Sequence, residues 1–132
     1  MLLKDTFFTL KRTEHSAGEN YTYRTTARVE LNPQHPIFQG HFPGKPIVPG
    51  VCEIEMVKEI LTTITDSRFQ LTKIKLCRFK AVLTPATCTE VDILIEWNQA
   101  DTAESAMFDA RVVGTDGTVY LEMTAEKTNA ND

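Results

Sequence analysis

An α+β fold, with a mostly antiparallel sheet packed on one long helix, is what this 132-residue sequence predicts. Three observations carry the prediction. Several segments alternate apolar and polar residues with period two. A single segment carries an apolar stripe at helical spacing. No second helix separates the strands that follow it, and strands joined without helical crossovers pair antiparallel. Alternation gives the sheet one dry face, and the long apolar helix is what must cover it.

The elements follow in order. Thr6 to Glu14 mixes aromatic and β-branched residues with charges and stops at Ser16-Ala17-Gly18-Glu19-Asn20, a strand closed by a turn. Tyr21, Tyr23, Thr25, Ala27, Val29 and Leu31 then occupy alternate positions, with Asn32-Pro33 as the stop. Such a run predicts a long strand with one buried face. Val51, Ile54, Val57, Leu61 and Ile64 fall at helical spacing, broadened by Met56 and Ile60, and the helix should end near Asp66-Ser67. Lys73 to Phe79, Cys88 to Trp97, Ala103 to Val113 and Thr118 to Ala125 read as four further strands. Gly114-Thr115-Asp116-Gly117 supplies the last hairpin turn, and the tail from Thr128 should fray.

Composition bounds the function. An apolar fraction of 42% and a charged fraction of 24% suit one soluble domain over residues 1–132, without internal repeats. No apolar run approaches the roughly 18 residues of a membrane span. The first residues include Asp5 and lack a signal-peptide pattern, so a cytoplasmic protein is expected. Three cysteines (Cys52, Cys77 and Cys88) with no Cys-x-x-Cys pair suit buried reduced thiols. A net charge of −4 argues against nucleic-acid binding, which needs clustered positive charge.

The richest stretch is Gln34 to Glu59. It holds four of the six prolines (Pro36, Pro43, Pro46, Pro49) and three of the six glycines (Gly40, Gly44, Gly50). Proline fixes φ and glycine opens conformations closed to other residues, so this is a stiff loop with one path. It delivers His41 and then a helix bearing Glu53, Glu55 and Glu59. A lone histidine more often serves loop backbone groups, and a lone glutamate in a first helical turn is more often solvated. His35 and His41 have no third ligand at recognisable spacing, so no metal site is expected. His15 reads as a surface residue, Tyr21 and Tyr23 as core, and Glu53 and Glu59 as without a special role.

The segment Phe38-Gln39-Gly40-His41-Phe42-Pro43-Gly44-Lys45-Pro46-Ile47, followed by Pro49-Gly50-Val51 and by Glu55 fourteen residues after the histidine, resembles the bacterial (3R)-hydroxyacyl-acyl-carrier-protein dehydratases. Arg78-Phe79-Lys80, with Val82 and Pro85, matches a second patch of that family. The resemblance implies the hotdog fold, a sheet wrapped round a central helix. It implies that His41 exchanges a proton at C2 of an acyl thioester and that Glu55 protonates the departing C3 hydroxyl. It also implies a substrate carried on phosphopantetheine by an acyl carrier protein, with no other cofactor. A homodimer or an oligomer of dimers follows, with each site drawn from two subunits.

Elementary chemistry fits those roles. A C2 proton beside a thioester is weakly acidic and needs a base poised near neutrality, the range of imidazole. Hydroxide leaves badly, so its partner must arrive protonated, which an apolar pocket favours. Phe42, Val51 and Met56 are candidates for that environment, and Phe42, Pro49 and Met56 for the lining of the substrate tunnel. Developing charge on the thioester oxygen needs oriented donors, and Gly50 and Val51 stand where helix N–H groups are free.

An acidic enzyme meeting an acidic carrier needs a local positive patch. Arg78 and Lys80, in the densest basic run, are the docking candidates, although such a run also suits one wet strand face. Some features depart from the family pattern. Its usual opening is absent, Met56-Val57-Lys58-Glu59 follows the acid, and Ala86-Thr87 replaces a Gly-Asp turn. These point to a pathway-specific relative, for example in polyketide-like or aryl-polyene synthesis. Two alternatives stand beside this: a hotdog thioesterase, against which His41 argues, and a non-catalytic acyl-binding partner of an active relative.

Overall fold

A computed structural model places residues 2–40, 46–98 and 105–129. Six strands form one sheet: β1 (Phe8–Ala17), β2 (Tyr23–Leu31), β3 (Phe69–Phe79), β4 (Glu90–Trp97), β5 (Ala106–Gly114) and β6 (Val119–Asn129), with two helices, α1 (Ile37–Gly40) and α2 (Gly50–Thr65), between β2 and β3. The spatial order is β1-β2-β4-β5-β6-β3, and every neighbouring pair is antiparallel. This is the α+β architecture that the alternating segments predict.

The strand faces follow the period-two reading. Ala27 and Val29 on β2, Val91, Ile93 and Ile95 on β4, Phe108 and Val112 on β5, and Leu121 and Ala125 on β6 are buried on one face. Cys52, Met56, Val57, Ile60 and Leu61 of α2 join them in one core. On the other face the charges pair across strands. Arg28 forks onto Asp92 at 2.6 and 3.1 Å and reaches Glu90 at 3.2 Å, and Arg24 meets Glu96 at 3.0 Å.

Several expectations need correction. The Pro/Gly loop contains a single helical turn, α1, too short to show a periodic stripe. The stripe of α2 is rotated from the one expected: Val51 is 71% exposed, whereas Cys52 and Glu53 are buried. Both β3 and β6 run longer than predicted, and Thr128 and Asn129, expected to fray, belong to β6. Tyr21, Tyr23, Cys77 and Cys88 are half-buried rather than core.

Local chemistry ends each element where its sequence does. Asp66 takes the left-handed conformation (φ 51°) after the last turn of α2, and Ser67 N–H reaches back to Thr62 O at 3.3 Å. That is a helix-terminating geometry open to short polar residues. Gly117, at φ 90°, completes the β5–β6 turn, with its N–H donating to Gly114 O at 3.0 Å. The strand β3 lies at a sheet edge, carries two register shifts and exposes Ile74 and Phe79.

Candidate active site

The helix α2 carries Gly50, Val51, Glu55 and Met56 of the residues to which the sequence assigns chemistry. Pro49 is its N-cap, in extended conformation and without a side-chain hydrogen bond, so the first-turn N–H groups receive no acceptor from a cap side chain. Pro49 O accepts from Cys52 N and Glu53 N at 2.9 and 3.2 Å. Gly50 opens the helix beneath the Phe79 ring: a Cβ placed on it would lie 2.6 Å from Phe79 Cζ. A side chain there would therefore have to displace the Phe79 ring. Val51 faces outward, while Met56 is enclosed in the core.

Glu55 is partly buried at the margin of a depression of about 480 Å³, lined also by Leu2, Lys4, Lys58, Glu59, Arg68 and Phe69. Its Oε1 stands 3.6 Å from Lys58 Nζ. His41 and Phe42 lie outside the described residues. The structure thus brings Gly50, Val51 and Glu55 onto one helix, with Phe79 of the second motif over its start. Arg78 and Lys80 are exposed at the end of β3, and Lys80 pairs with Glu122 at 3.1 Å.

Two glutamates read as plain in the sequence are not plain in the structure. Glu53 is 3% exposed, and its Oε1 has no hydrogen-bond partner among the described residues. Burial pushes its carboxyl up to about 8, so it is largely protonated at neutral pH. Burial also raises the thiols of Cys52 and Cys77, and the Glu53 charge adds to the effect.

Glu59, 8% exposed, accepts the Leu3 N–H on both oxygens, at 2.9 and 2.8 Å, and the Lys4 N–H on Oε1 at 2.8 Å. Burial raises its carboxyl, the two N–H groups pull it down, and a hydrogen bond and the charge of Glu55 raise it again. One cue to both residues is their position on a helix otherwise apolar on that side.

Comparison with known proteins bears on the family and the fold. The family model described as ApeI-like (ApeI dehydratase) matches residues 14–121. The chain is 30% identical over 133 residues to the 3-hydroxyacyl-[acyl-carrier-protein] dehydratase FabZ of Koribacter versatilis, spanning 93% of this chain and 80% of that protein. It is 37% identical over 68 residues to the FabZ of a Thermoanaerobacter strain, an alignment covering 46% of this chain and 48% of that one. The chain thus spans about half the length of the latter relative.

Among solved structures, the dehydratase heterocomplex ApeI:P of Xenorhabdus doucetiae superposes with a TM-score of 0.65 at 19% identity, over 91% of this chain and 96% of that one. That likeness bears on the fold, which is the hotdog expected from the sequence. With the family model matched over most of its length, the chain belongs to the ApeI-like dehydratase family.

Proposed function

We propose that this chain is a hydro-lyase that converts a (3R)-3-hydroxyacyl thioester, borne on the phosphopantetheine of an acyl carrier protein, into the trans-2-enoyl thioester and water. The single observation that carries the reading is the family match over residues 14–121, which includes the Gly-His-Phe-Pro-Gly histidine and the helical acid in register. Glu55 on an open depression along the middle of α2 is consistent with it.

In this reading His41 takes the C2 proton, and the electron pair it leaves becomes the new C2–C3 double bond. The C3–O bond breaks as Glu55 gives its proton to that oxygen, and water departs. The thioester oxygen, which bears charge during the step, accepts from the N–H groups of Gly50 and Val51. Solvent then takes the proton from His41 and returns one to Glu55. Phe42 and Pro49 line the acyl path, and Arg78 and Lys80 contribute to carrier docking. The pathway is fatty-acid or polyketide-like synthesis in the cytoplasm.

A second subunit completes the site. Edge strand β3 offers unpaired main-chain groups, and Ile74, Phe79, Val82 and Val51 are exposed apolar residues on or beside it. A homodimer is the simplest assembly that covers them. A mixed assembly is the second reading, favoured by the fold shared with a protein described as a dehydratase heterocomplex.

The test is to incubate the purified protein with 3-hydroxyacyl and 2-enoyl thioesters and follow the conjugated product by absorbance. Interconversion supports the lyase, whereas release of free thiol would make it a thioesterase. No reaction with either would leave an acyl-binding partner. If each site joins His41 of one subunit to Glu55 of another, mixing inactive H41A and E55Q chains restores about a quarter of wild-type turnover. Half of randomly mixed dimers then hold one whole site.

A further inference from the structure

The residues just before β1 touch both sides of the proposed chemistry. Leu3 and Lys4 donate their N–H groups to Glu59, which lies one helical turn beyond Glu55 on α2. Phe7, fully buried, sets its ring against His35 (centroids 5.3 Å apart, planes at 78°) and Phe38 (5.4 Å, 30°). In the sequence His35 and Phe38 lead into His41. We propose that residues 3–7 brace α1 against α2, and that Phe7 is a positioning residue for the chain leading into His41. This deepens the lyase reading and rests on His41 as the base of that reaction.

The segment has the stiffness a brace needs. Leu3 O accepts the N–H groups of Thr6, Phe7 and Phe8 at 3.2, 2.7 and 3.2 Å, which closes it into a compact turn. Asp5 takes a φ of 69°, a conformation that short polar residues adopt more readily than most, and its N–H donates to Phe8 O at 2.6 Å. Leu3 and Phe7 both belong to the core. Displacing the segment would strand the N–H groups held by Glu59 and leave a cavity where the Phe7 ring sits.

The far end is fixed as well. Phe7 O accepts the Asn32 N–H at 2.8 Å, and Thr6 O accepts from the Asn32 side-chain amide at 2.9 Å. Asn32 directly follows β2, so the sheet, the segment and α1 meet around Phe7. His35 closes α1: its Nδ1 accepts the Ile37 N–H and its carbonyl the Phe38 N–H, both at 3.1 Å. A helix of one turn is too short to hold its own shape, so the placement of α1 comes from packing. Phe7 supplies the aromatic part of that packing. Proton transfer depends on placement, since a shift of about 1 Å can cost roughly 10²-fold in rate.

The test compares F7L, E59A and the double variant with wild type. F7L keeps an apolar side chain in the core but loses both ring contacts. At a temperature where every variant is fully folded, a merely structural role leaves kcat unchanged. The brace predicts that F7L lowers kcat roughly tenfold or more, with KM within about twofold of wild type. It also predicts coupling: the two ends of one brace are lost together, so the double variant falls little below the slower single one. A second readout needs no turnover. The chain has three histidines, whose imidazole NMR signals are assigned by substitution. E59A takes no ring away from His35, yet it should move the His35 signal while that of His15, held at Thr25 on β2, stays in place. If F7L fails to fold, this measurement on E59A decides.

Wild-type kcat in folded F7L, losses that multiply in the double variant, or a His35 signal indifferent to E59A would each overturn the inference. If the His35 signal moves as expected but H41A turns over like wild type, the brace stands and the catalytic reading fails.

Discussion

Glu59 holds the main chain of Leu3, fifty-six residues away, by accepting one N–H on both carboxylate oxygens at 2.9 and 2.8 Å. This contact fastens the N-terminal segment to the central helix and makes Leu2 and Lys4 a wall of the depression that contains Glu55. The opening of the chain is therefore part of the candidate site.

Removing that latch should cost stability. E59A leaves the buried Leu3 N–H and the neighbouring Lys4 N–H without their acceptor, and a charged hydrogen bond of this kind is worth about 1.5–3 kcal/mol. We expect urea denaturation to show a loss in that range, with faster hydrogen exchange confined to residues 2–8. A loss within experimental error would mean that the segment is held by the packing of Leu3 and Phe7 alone.

Glu53 should make the fold less stable as pH rises. Its carboxyl lies near 4.5 in the unfolded chain and at about 8 when folded. Below 4.5 both states hold the proton, and its contribution is complete. Between the two values the unfolded chain releases the proton while the native state keeps it, so the folding equilibrium weakens by up to about tenfold per pH unit. Above 8 both states are ionised and the loss levels off. E53Q, neutral throughout, should lose less stability than wild type between pH 5 and 8. Parallel urea midpoints across that window would contradict this.

At Gly50 the constraint is contact with a side chain rather than backbone conformation. In G50A the new methyl meets the Phe79 ring, whose half-exposed position lets it swing away. The expected penalty is about 1 kcal/mol, offset in part by the better helix propensity of alanine. It should disappear in the F79A background, which a double-mutant cycle measures. Additive effects of the two substitutions would mean that the ring does not press on the helix start.

Most of the sheet was legible in the sequence because β2, β4, β5 and β6 each bury one face, and burial on one face is what alternation records. The strand β3 was less so, since an edge strand with exposed Ile74 and Phe79 need not alternate strictly. The helix was placed correctly but its stripe was rotated, because Val51 drew the count toward a face that stays open while Glu53, a charged residue, points inward. Nothing in the sequence announced the part played by Glu59. Its partners are main-chain N–H groups, which every residue but proline carries, and only the folded path of Leu3 and Lys4 brings them to it. His41 and Glu55 stood out through the motif around them, since neither residue is informative alone.

The most direct measurement is the turnover of folded H41A and E55Q on a 3-hydroxyacyl thioester, beside wild type. The account predicts that each falls by roughly 10² to 10⁴, as expected for loss of a general base or acid. Near wild-type turnover in either variant would contradict it.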